Sequence, residues 1–305
     1  MSRFYQVLKE ASRDRQNTSG EAGEGDWGAS GIGDIDPPLR NDIGVSEAAA
    51  PAAVLEDQPR EAALEELLHF ESRPRDGSIG AQAKVILDQK ARLIPHAVDP
   101  VVLEHYRTLR TKILQLQSQK TFRSLIVTSP SPQEGKTVTV LNLGLCFAML
   151  PSFKILVVDG DLRRGSLGHW LGMDNGPGLS NLIDGSAKLE DVVWKSDESS
   201  MNFMLRGTSE VPPGELLQSS RLKSHLLRMT ELFDLVLVDS PPVNLMADVQ
   251  LLAANCDAVL LIARAFSTTR KSFEKAVQDL LPFRVIGTVL NAGTTPTSRK
   301  YRGYY

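Results

Sequence analysis

The chain has 305 residues, 42% of them hydrophobic, and a formal net charge of −3 at pH 7. This length accommodates one domain with appended segments or two small domains, and the charge excludes a chain-wide attraction to nucleic acid or to acidic membranes. The only cysteines, Cys146 and Cys256, lie in apolar stretches, which argues against a disulfide framework and favours a reducing compartment.

The first 95 residues are predicted to form a largely disordered extension. Residues 15–60 are rich in Gly, Ala, Asp, Glu and Pro and contain few large apolar side chains, so they cannot bury enough surface to offset the entropy lost on ordering. Two short amphipathic helices are expected within the extension, one in the opening MSRFYQVLKEASR and one in REAALEELLHFE. The globular pattern begins at about residue 96.

The sequence carries no signal for export or membrane insertion. The amino terminus lacks both the apolar core and the small-residue cleavage site of a secretory signal. Nowhere do about 18 consecutive apolar residues occur, which is the length that a membrane-spanning helix needs. We therefore expect a cytoplasmic protein that reaches the inner membrane only through a partner.

The segment DPVVLEHYRTLRTKILQLQ, residues 99–117, is predicted to form an amphipathic helix. Its apolar arc comprises Val102, Tyr106, Leu109 and Ile113. Because successive residues of a helix are about 100° apart, the charged residues spaced three apart lie on a different arc. That arc is expected to point outward and comprises Glu104, Arg107 and Arg110. Taken alone, it is either a solvated face or an interaction surface.

The rest of the chain alternates apolar, β-branched runs with helical patterns. Strands are predicted at residues 124–129, 154–160, 202–207, 234–240, 258–264 and 285–291, and helices at 137–149, 214–232, 246–254 and 268–281. Strands that are apolar throughout and joined by helices indicate a mainly parallel sheet covered on both faces. The predicted fold class is therefore α/β.

A Gly-Lys-Thr sequence lies between the first predicted strand and its helix, within SPSPQEGKTVTVLNLG. Backbone N–H groups and the helix N-terminus at such a junction can wrap a phosphate. Lys136 is expected to bridge the β- and γ-phosphates of a nucleotide, and Thr137 to bind Mg²⁺ through its hydroxyl. Compared with the pattern G-x-x-x-x-G-K-[ST], Pro130 replaces the first glycine. The predicted nucleotide-binding residues are Gln133, Glu134, Gly135, Lys136, Thr137, Val138 and Asn291.

Carboxylates end two other predicted strands. Asp159 and Asp161 follow ILVV, and Asp239 follows LVLV. Because ligands bind at the carboxyl edge of an open parallel sheet, all three can converge on the loop that carries Lys136. The predicted metal ligands are Thr137, Asp159 and Asp239. Lys136 and the three aspartates form the predicted catalytic set, in which Asp161 accepts a proton from the nucleophile.

The chain ends in SRKYRGYY, which interleaves Tyr301, Tyr304 and Tyr305 with cations. Taken alone, this tail is either a sticky disordered end or a set of phosphate acceptors. Beside a nucleotide site the second interpretation is favoured, because a mobile phenol can reach a γ-phosphate and the neighbouring cations favour its approach to ATP. The three tyrosines are therefore the predicted phosphoacceptors.

Several stretches together resemble the bacterial tyrosine kinases, the cytoplasmic ATPase partners of exopolysaccharide and capsule export. They are EHYRTLRTKI, TSPSPQEGKTVTVLNLG, ILVVDGDLRRGSLGHWLGM, NGPGLSNLIDG, PPGELLQSS, FDLVLVDSPPVNLMADVQLLAANCDAVLLIARAFSTT and the tyrosine cluster. The resemblance covers residues 97–305. It implies a P-loop NTPase fold with ATP and Mg²⁺ as cofactors, a kinase domain at 96–296 and a flexible tail at 297–305.

The resemblance also implies partners and regulation. In the family, the residues that match Glu104, Arg107 and Arg110 lie in the subunit interface of a ring-like homo-oligomer. Each tail enters a neighbour's active site, where its tyrosines are phosphorylated in trans. A separate inner-membrane adaptor for polysaccharide chain length or export and a tyrosine phosphatase are the further partners implied. Nucleic acid is not expected, because the basic residues form no extended patch.

Three positions depart from the family pattern. Gln133 stands where glycine is usual, Gly165 stands where proline usually follows two arginines, and VPPGELL lacks the usual asparagine. Two alternative functions stay open. A ParA/MinD-like switch ATPase would share the carboxylates, but it has a lysine where this chain has Ser131 and no use for a tyrosine tail. A nucleotide-binding scaffold of the export complex without kinase activity is the other.

Overall fold

The computed structural model describes residues 81–83, 100–119, 121–173, 176–196 and 199–293. All of them belong to the second of the two units into which the chain divides, Gln58–Tyr305. The two predicted N-terminal helices and the tail tyrosines Tyr301, Tyr304 and Tyr305 lie outside the described residues. Among the helices that are described, none is long and apolar enough to cross a membrane.

The described strands form a single sheet. They are β1 (Ala81–Ala83), β2 (Ser124–Thr128), β3 (Ile155–Asp159), β4 (Trp194–Ser196), β5 (Asn202–Met204), β6 (Leu235–Asp239), β7 (Ala258–Arg264) and β8 (Val285–Asn291). Their order is β1-β4-β5-β3-β6-β2-β7-β8. Every neighbouring pair is parallel except β4 with β5. The predicted mainly parallel sheet is thus confirmed.

The short strands β1 and β4 were not predicted from the sequence. They pair with each other at one edge of the sheet. β1 lies within the stretch that the sequence assigns to the disordered extension, before the expected start of the domain at residue 96. Three residues are too few to show an alternating pattern, so neither strand carries a periodic signal.

Among the described residues, helices occur in all the segments predicted to hold them, and three short helices between β3 and β4 were not predicted. They are α1 (Pro100–Gln119), α2 (Lys136–Ala148), α3 (Leu167–Trp170), α4 (Leu179–Asp184), α5 (Leu189–Val192), α6 (Pro213–Gln218), α7 (Ser220–Leu232), α8 (Asp248–Asn255) and α9 (Arg270–Asp279). The prediction of one helix over 214–232 is wrong. Ser219 is extended, with φ −65° and ψ 135°, and its hydroxyl accepts a hydrogen bond from the Arg221 N–H at 3.3 Å, so a new helix begins there.

The sheet separates two apolar cores. β2, β3 and β6 are buried along their whole length, and alternate residues of β6, such as Leu237 and Val238, face opposite cores. One core includes apolar residues of α1, α2 and α3, and the other includes residues of α4 to α9. Helices cover both faces of the sheet, so a ligand is expected to bind at the carboxyl ends of the strands, as in other open parallel sheets.

Helix α1 packs on a slightly different arc from the predicted one. Ile113 is buried and Tyr106 packs against the first core, but Val102 is 40% exposed. Leu103, one position along, contacts the core instead. Leu103 lies three residues before Tyr106 and Val102 lies four before it, and both spacings are compatible with one helix face. The sequence pattern therefore does not separate the two residues, whereas packing does.

Arg110 does not point outward as predicted. Its Nη1 donates a hydrogen bond to the Cys146 carbonyl oxygen at 2.6 Å. Cys146 lies in the last turn of α2, where carbonyl groups have no partner within the helix and where the helix dipole favours a cation. Arg110 therefore stabilises the end of α2. Glu104 and Arg107 remain on the surface, 3.6 Å apart, with exposed side-chain fractions of 51% and 44%.

Candidate active site

The phosphate loop, residues 130–137, runs from the end of β2 into the first turn of α2 at the carboxyl edge of the sheet. Gly135 adopts φ 89°, and a Cβ atom at this position would collide with the Asn291 side chain. The Asn291 amide donates a hydrogen bond to the Glu134 carbonyl oxygen at 2.9 Å. Asn291, at the end of β8, therefore supports the loop from outside, and only glycine fits beside it.

Gln133 also adopts a left-handed backbone, with φ 60°. This is the position at which glycine is usual in the family that the sequence resembles. A side chain in this conformation costs on the order of 1 kcal/mol relative to glycine. The Gln133 carbonyl oxygen accepts a hydrogen bond from Arg264 Nη1 at 2.8 Å. The loop thus keeps a conformation suited to glycine while glutamine occupies it.

The Glu134 side chain is used within the protein. It is buried, its Oε2 accepts a hydrogen bond from the Ser131 N–H at 3.0 Å, and its Oε1 accepts one from the Thr268 hydroxyl at 2.6 Å. A nucleotide can therefore meet the backbone at this position rather than the carboxylate. Arg264, the last residue of β7, and Thr268, in the segment after it, were not predicted from the sequence. The one signal for Arg264 is its position at the carboxyl end of a strand.

Thr137 and Asp239 meet directly. The Thr137 hydroxyl donates a hydrogen bond to Asp239 Oδ2 at 2.6 Å. Asp239 Oδ1 is buried and has no hydrogen-bond partner among the described residues. Burial raises the pKa of Asp239 to about 6, while Thr137 and Lys136 act in the opposite direction. A buried carboxylate oxygen without a partner is costly, and a bound cation would compensate it. Ser166, which was not predicted, lies 3.3 Å from the Thr137 hydroxyl.

Asp159 and Asp239 are direct neighbours in adjacent strands. Asp159 accepts hydrogen bonds from the Leu167 N–H at 3.1 Å and from the Asp161 N–H at 3.2 Å. Burial, followed by the charge of Asp239, raises the pKa of Asp159 to about 8. Burial and the neighbouring Asp239 charge thus disfavour the ionised form of Asp159, and a cation bound beside it would favour that form.

Asp161 lies in the turn that follows β3. Its Oδ1 accepts hydrogen bonds from the Arg164 N–H at 2.9 Å and from the Arg163 N–H at 3.3 Å. The turn closes around the carboxylate and sets its direction. Asp161, the predicted proton acceptor, is thus held by the backbone N–H groups of Arg163 and Arg164.

Lys136, the first residue of α2, lies among these acids. Burial lowers the pKa of its ammonium group, and Asp239, Asp161 and Glu134 raise it, in that order of strength. The charges of Asp239 and Asp161 act on the ammonium group, so the lysine lies within electrostatic range of the predicted carboxylates. A cation in this position compensates part of their negative charge and can do the same for phosphate oxygens.

A cavity of about 270 Å³ opens beside Asp159. Its lining includes Gly165, His169, Met173, Asn181, Arg206 and Thr208. A Cβ atom at Gly165 would lie 2.6 Å from Asp159 Oδ2, so a larger residue at this position would press on the buried carboxylate. In the order β5-β3-β6-β2, the cavity lies on the β5 side of Asp159 and the phosphate loop follows β2. Asp159 therefore lies between the two.

The described residues contain no set of three or more His, Cys, Asp or Glu side chains that would hold a metal ion by themselves. Mg²⁺ commonly takes one or two carboxylates from the protein and completes its shell with phosphate oxygens and water. The Thr137 hydroxyl and the unpartnered Asp239 oxygen fit that requirement. The site suits a phosphate-bound Mg²⁺ rather than a free metal centre.

Comparisons with known proteins identify the family. No family model matches the chain. It is 32% identical over 195 residues to the tyrosine-protein kinase ptk of Acinetobacter johnsonii, a match over 63% of this chain and 26% of that protein. It is 30% identical over 191 residues to the tyrosine-protein kinase CpsD of Streptococcus pneumoniae serotype 4, over 62% of this chain and 83% of that protein.

The chain thus spans about a quarter of the Acinetobacter relative but most of the Streptococcus one. Among solved structures, the kinase domain of the Escherichia coli tyrosine kinase ETK matches with a TM-score of 0.60 and 26% identity, over 72% of this chain and 94% of that one. The phosphate loop, the aligned carboxylates and these relatives lead to the same conclusion. The chain belongs to the family of bacterial tyrosine kinases.

Proposed function

We propose that this chain is an ATP-dependent protein-tyrosine kinase that phosphorylates its own C-terminal tyrosines in trans. The observation that carries the proposal is the convergence of Lys136 and Thr137 with Asp159, Asp161 and Asp239 at one edge of the sheet. The relatives in Acinetobacter johnsonii and Streptococcus pneumoniae bear the name tyrosine-protein kinase. We further propose that it regulates the chain length and export of an exopolysaccharide or capsule.

The proposed nucleotide site uses the phosphate loop. Backbone N–H groups of residues 133–138 surround the phosphates, and Asn291 keeps the loop in shape through its bond to Glu134. Lys136 contacts the β- and γ-phosphates. Thr137 and Asp239 would hold Mg²⁺, and Asp159 would support it. When bound, Mg²⁺ offsets the negative charge on the phosphates during transfer.

In the proposed reaction, the phenolic oxygen of a tyrosine attacks the γ-phosphorus of ATP. The bond between that phosphorus and the β,γ-bridging oxygen breaks, ADP leaves, and the phenolic proton passes to the Asp161 carboxylate. We propose that the phenol approaches through the cavity next to Gly165. In the strand order, the cavity and the phosphate loop lie on different sides of Asp159, so the phenol would approach from the side away from the loop.

Intact-mass spectrometry tests the proposal. Purified full-length protein and a chain truncated after Ser298 are incubated with ATP and Mg²⁺, and their masses and ADP production are recorded. We expect mass additions of phosphate in the full chain that are lost on truncation, because Tyr301, Tyr304 and Tyr305 are then absent. ADP production without phosphate on either chain, even with a membrane partner present, would favour a switch ATPase instead.

The proposed assembly is a ring-like homo-oligomer at the cytoplasmic face of the inner membrane. A separate inner-membrane adaptor for polysaccharide chain length or export would recruit it, and a tyrosine phosphatase would reset it. The support is the resemblance to the family together with the exposed Glu104 and Arg107 pair on α1. Arg110 would contribute indirectly, through its contact with the end of α2.

Replacing Arg107 by alanine should shift the oligomer toward monomer without unfolding the protein. An exposed ion pair of this kind contributes about 0–1 kcal/mol to folding, so a change in mass would report on the interface. Multi-angle light scattering measures the mass. Arg228→Ala is the matched control, because Arg228 pairs with Glu231 at the same spacing and the same 3.6 Å. Equal masses for both variants and the wild type would show that the Glu104 and Arg107 face of α1 is a solvated surface and not an interface.

A further inference from the structure

One ion pair beside the site connects two segments that are far apart in sequence. Arg163 Nε donates a hydrogen bond to Asp248 Oδ2 at 2.6 Å, and Arg163 Nη2 donates one to Asp248 Oδ1 at 3.2 Å. The Asp248 side chain is only 6% exposed. Both of its oxygens are therefore engaged by a single guanidinium group, in the fork geometry that arginine alone provides.

The two partners belong to the segments that carry the catalytic carboxylates. Arg163 lies in the turn after β3, two residues beyond Asp161. Asp248 is the first residue of α8, at the end of the segment that follows Asp239 and β6. The ion pair therefore links the turn that holds Asp161 to the segment beyond Asp239.

The contacts of Arg163 reach Asp161 through the backbone. The Arg163 N–H donates a hydrogen bond to Asp161 Oδ1 at 3.3 Å, and the Arg163 carbonyl oxygen accepts one from Arg206 Nη1 at 3.4 Å. One residue thus binds Asp161 with its amide, Arg206 with its carbonyl and Asp248 with its side chain. A displacement of the Arg163 side chain would be transmitted to the direction of the Asp161 carboxylate.

We propose that Arg163 and Asp248 form a clamp that positions Asp161 for the transfer of the γ-phosphate, an inference that rests on the proposed kinase function. Arg163 is a positioning residue in this scheme and does not contact the nucleotide. The Asp248 side chain is nearly buried, so loss of the Arg163 side chain would leave its carboxylate without this partner. Without the clamp, the turn after β3 keeps the hydrogen bonds that its backbone makes with the side chains of Asp159, Asp161 and Arg206.

The test separates positioning from a purely structural role. The variants Arg163→Ala, Asp248→Asn, the double variant and Arg163→Lys are compared with wild type, all as full chains. Thermal unfolding, the ATP dissociation constant and single-turnover rates of phosphotransfer and of ATP hydrolysis are measured. Arg228→Ala, on the exposed face of α7, controls for the loss of one arginine charge.

Arg163→Ala should lower the unfolding temperature, because it leaves the Asp248 charge buried and unpaired, and the double variant should recover it. The transfer rate should fall about tenfold to a hundredfold in both, as expected when a catalytic group is displaced by about 1 Å. The ATP dissociation constant should stay within about twofold of wild type. Arg163→Lys, which keeps a single ionic contact, should have an intermediate rate.

Recovery of the transfer rate together with the unfolding temperature in the double variant would overturn the clamp, since the pair would then be structural only. A weaker ATP affinity with an unchanged rate would overturn it as well, because Arg163 would then contact the nucleotide.

If the wild type hydrolyses ATP but phosphorylates nothing, the kinase proposal fails. The hydrolysis rates of the same variants then decide the clamp, since Asp161 would orient water. A wild type that binds ATP and does neither overturns both.

Discussion

Replacing Lys136 by methionine should reduce phosphate transfer to a small residual rate while leaving the fold intact. Burial lowers the pKa of its ammonium group, while the charges of Asp239, Asp161 and Glu134 raise it, so the side chain belongs to the site rather than to an apolar core. Removal of one preorganised protein group that stabilises the developing charge in the transition state costs about a hundredfold to a thousandfold in rate. Intact-mass spectrometry after incubation with ATP and Mg²⁺ measures the loss.

The control is Lys223→Met, which removes the same charge from an exposed position of α7. Its labelling should equal that of wild type. Circular dichroism and thermal unfolding of both variants confirm that the fold persists. Unchanged phosphorylation of Lys136→Met would remove this lysine from the phosphate site, and with it the assignment of residues 130–137 as the phosphate loop.

Much of the fold could be predicted because its central strands are apolar on both faces. The runs at β2, β3, β6 and β7 have no polar alternation, and this is the pattern of a buried parallel sheet. What was missed is short or local. β1 and β4 are three residues each, and the break at Ser219 depends on a single extended residue between two helical patterns.

The predicted site residues come together for a topological reason. Asp159 and Asp239 end neighbouring parallel strands, and the phosphate loop follows the next one, so the carboxyl edge collects them. The supporting contacts were not predictable in this way. Arg163 and Asp248 are 85 residues apart, and no local pattern pairs them.

Arg110 illustrates the limit of helical periodicity. Its spacing from Glu104 and Arg107 places it on the charged arc, but a long side chain can bend toward a neighbouring helix. The Cys146 carbonyl at the end of α2 offered a bond that water would otherwise make. Periodicity gives the direction of a Cβ atom, whereas the position of a guanidinium depends on what lies within its reach.

Asp239→Asn should stabilise the protein without Mg²⁺ or nucleotide and should eliminate phosphate transfer. Burial raises the pKa of Asp239 to about 6, against about 3.9 in an unfolded chain. The folded state therefore binds more protons between about pH 4 and pH 6, so wild-type stability falls as the pH rises through this window. Asparagine does not titrate, and its amide oxygen can keep the hydrogen bond from Thr137.

The gain should be near zero at pH 4 and should reach about 2–3 kcal/mol above pH 6, from the shift of about two pKa units. Urea unfolding at a series of pH values measures it. Asp279→Asn on α9, whose carboxylate pairs with Lys275 at the surface, should show no comparable gain.

Since the charge of Asp239 also raises the pKa of Asp159, Asp239→Asn should lower the pKa of Asp159. A gain that does not depend on pH would show that the cost of Asp239 is not the burial of its charge. A gain that disappears when Mg²⁺ and ATP are added would show that the cation and the phosphates offset this cost in the working enzyme.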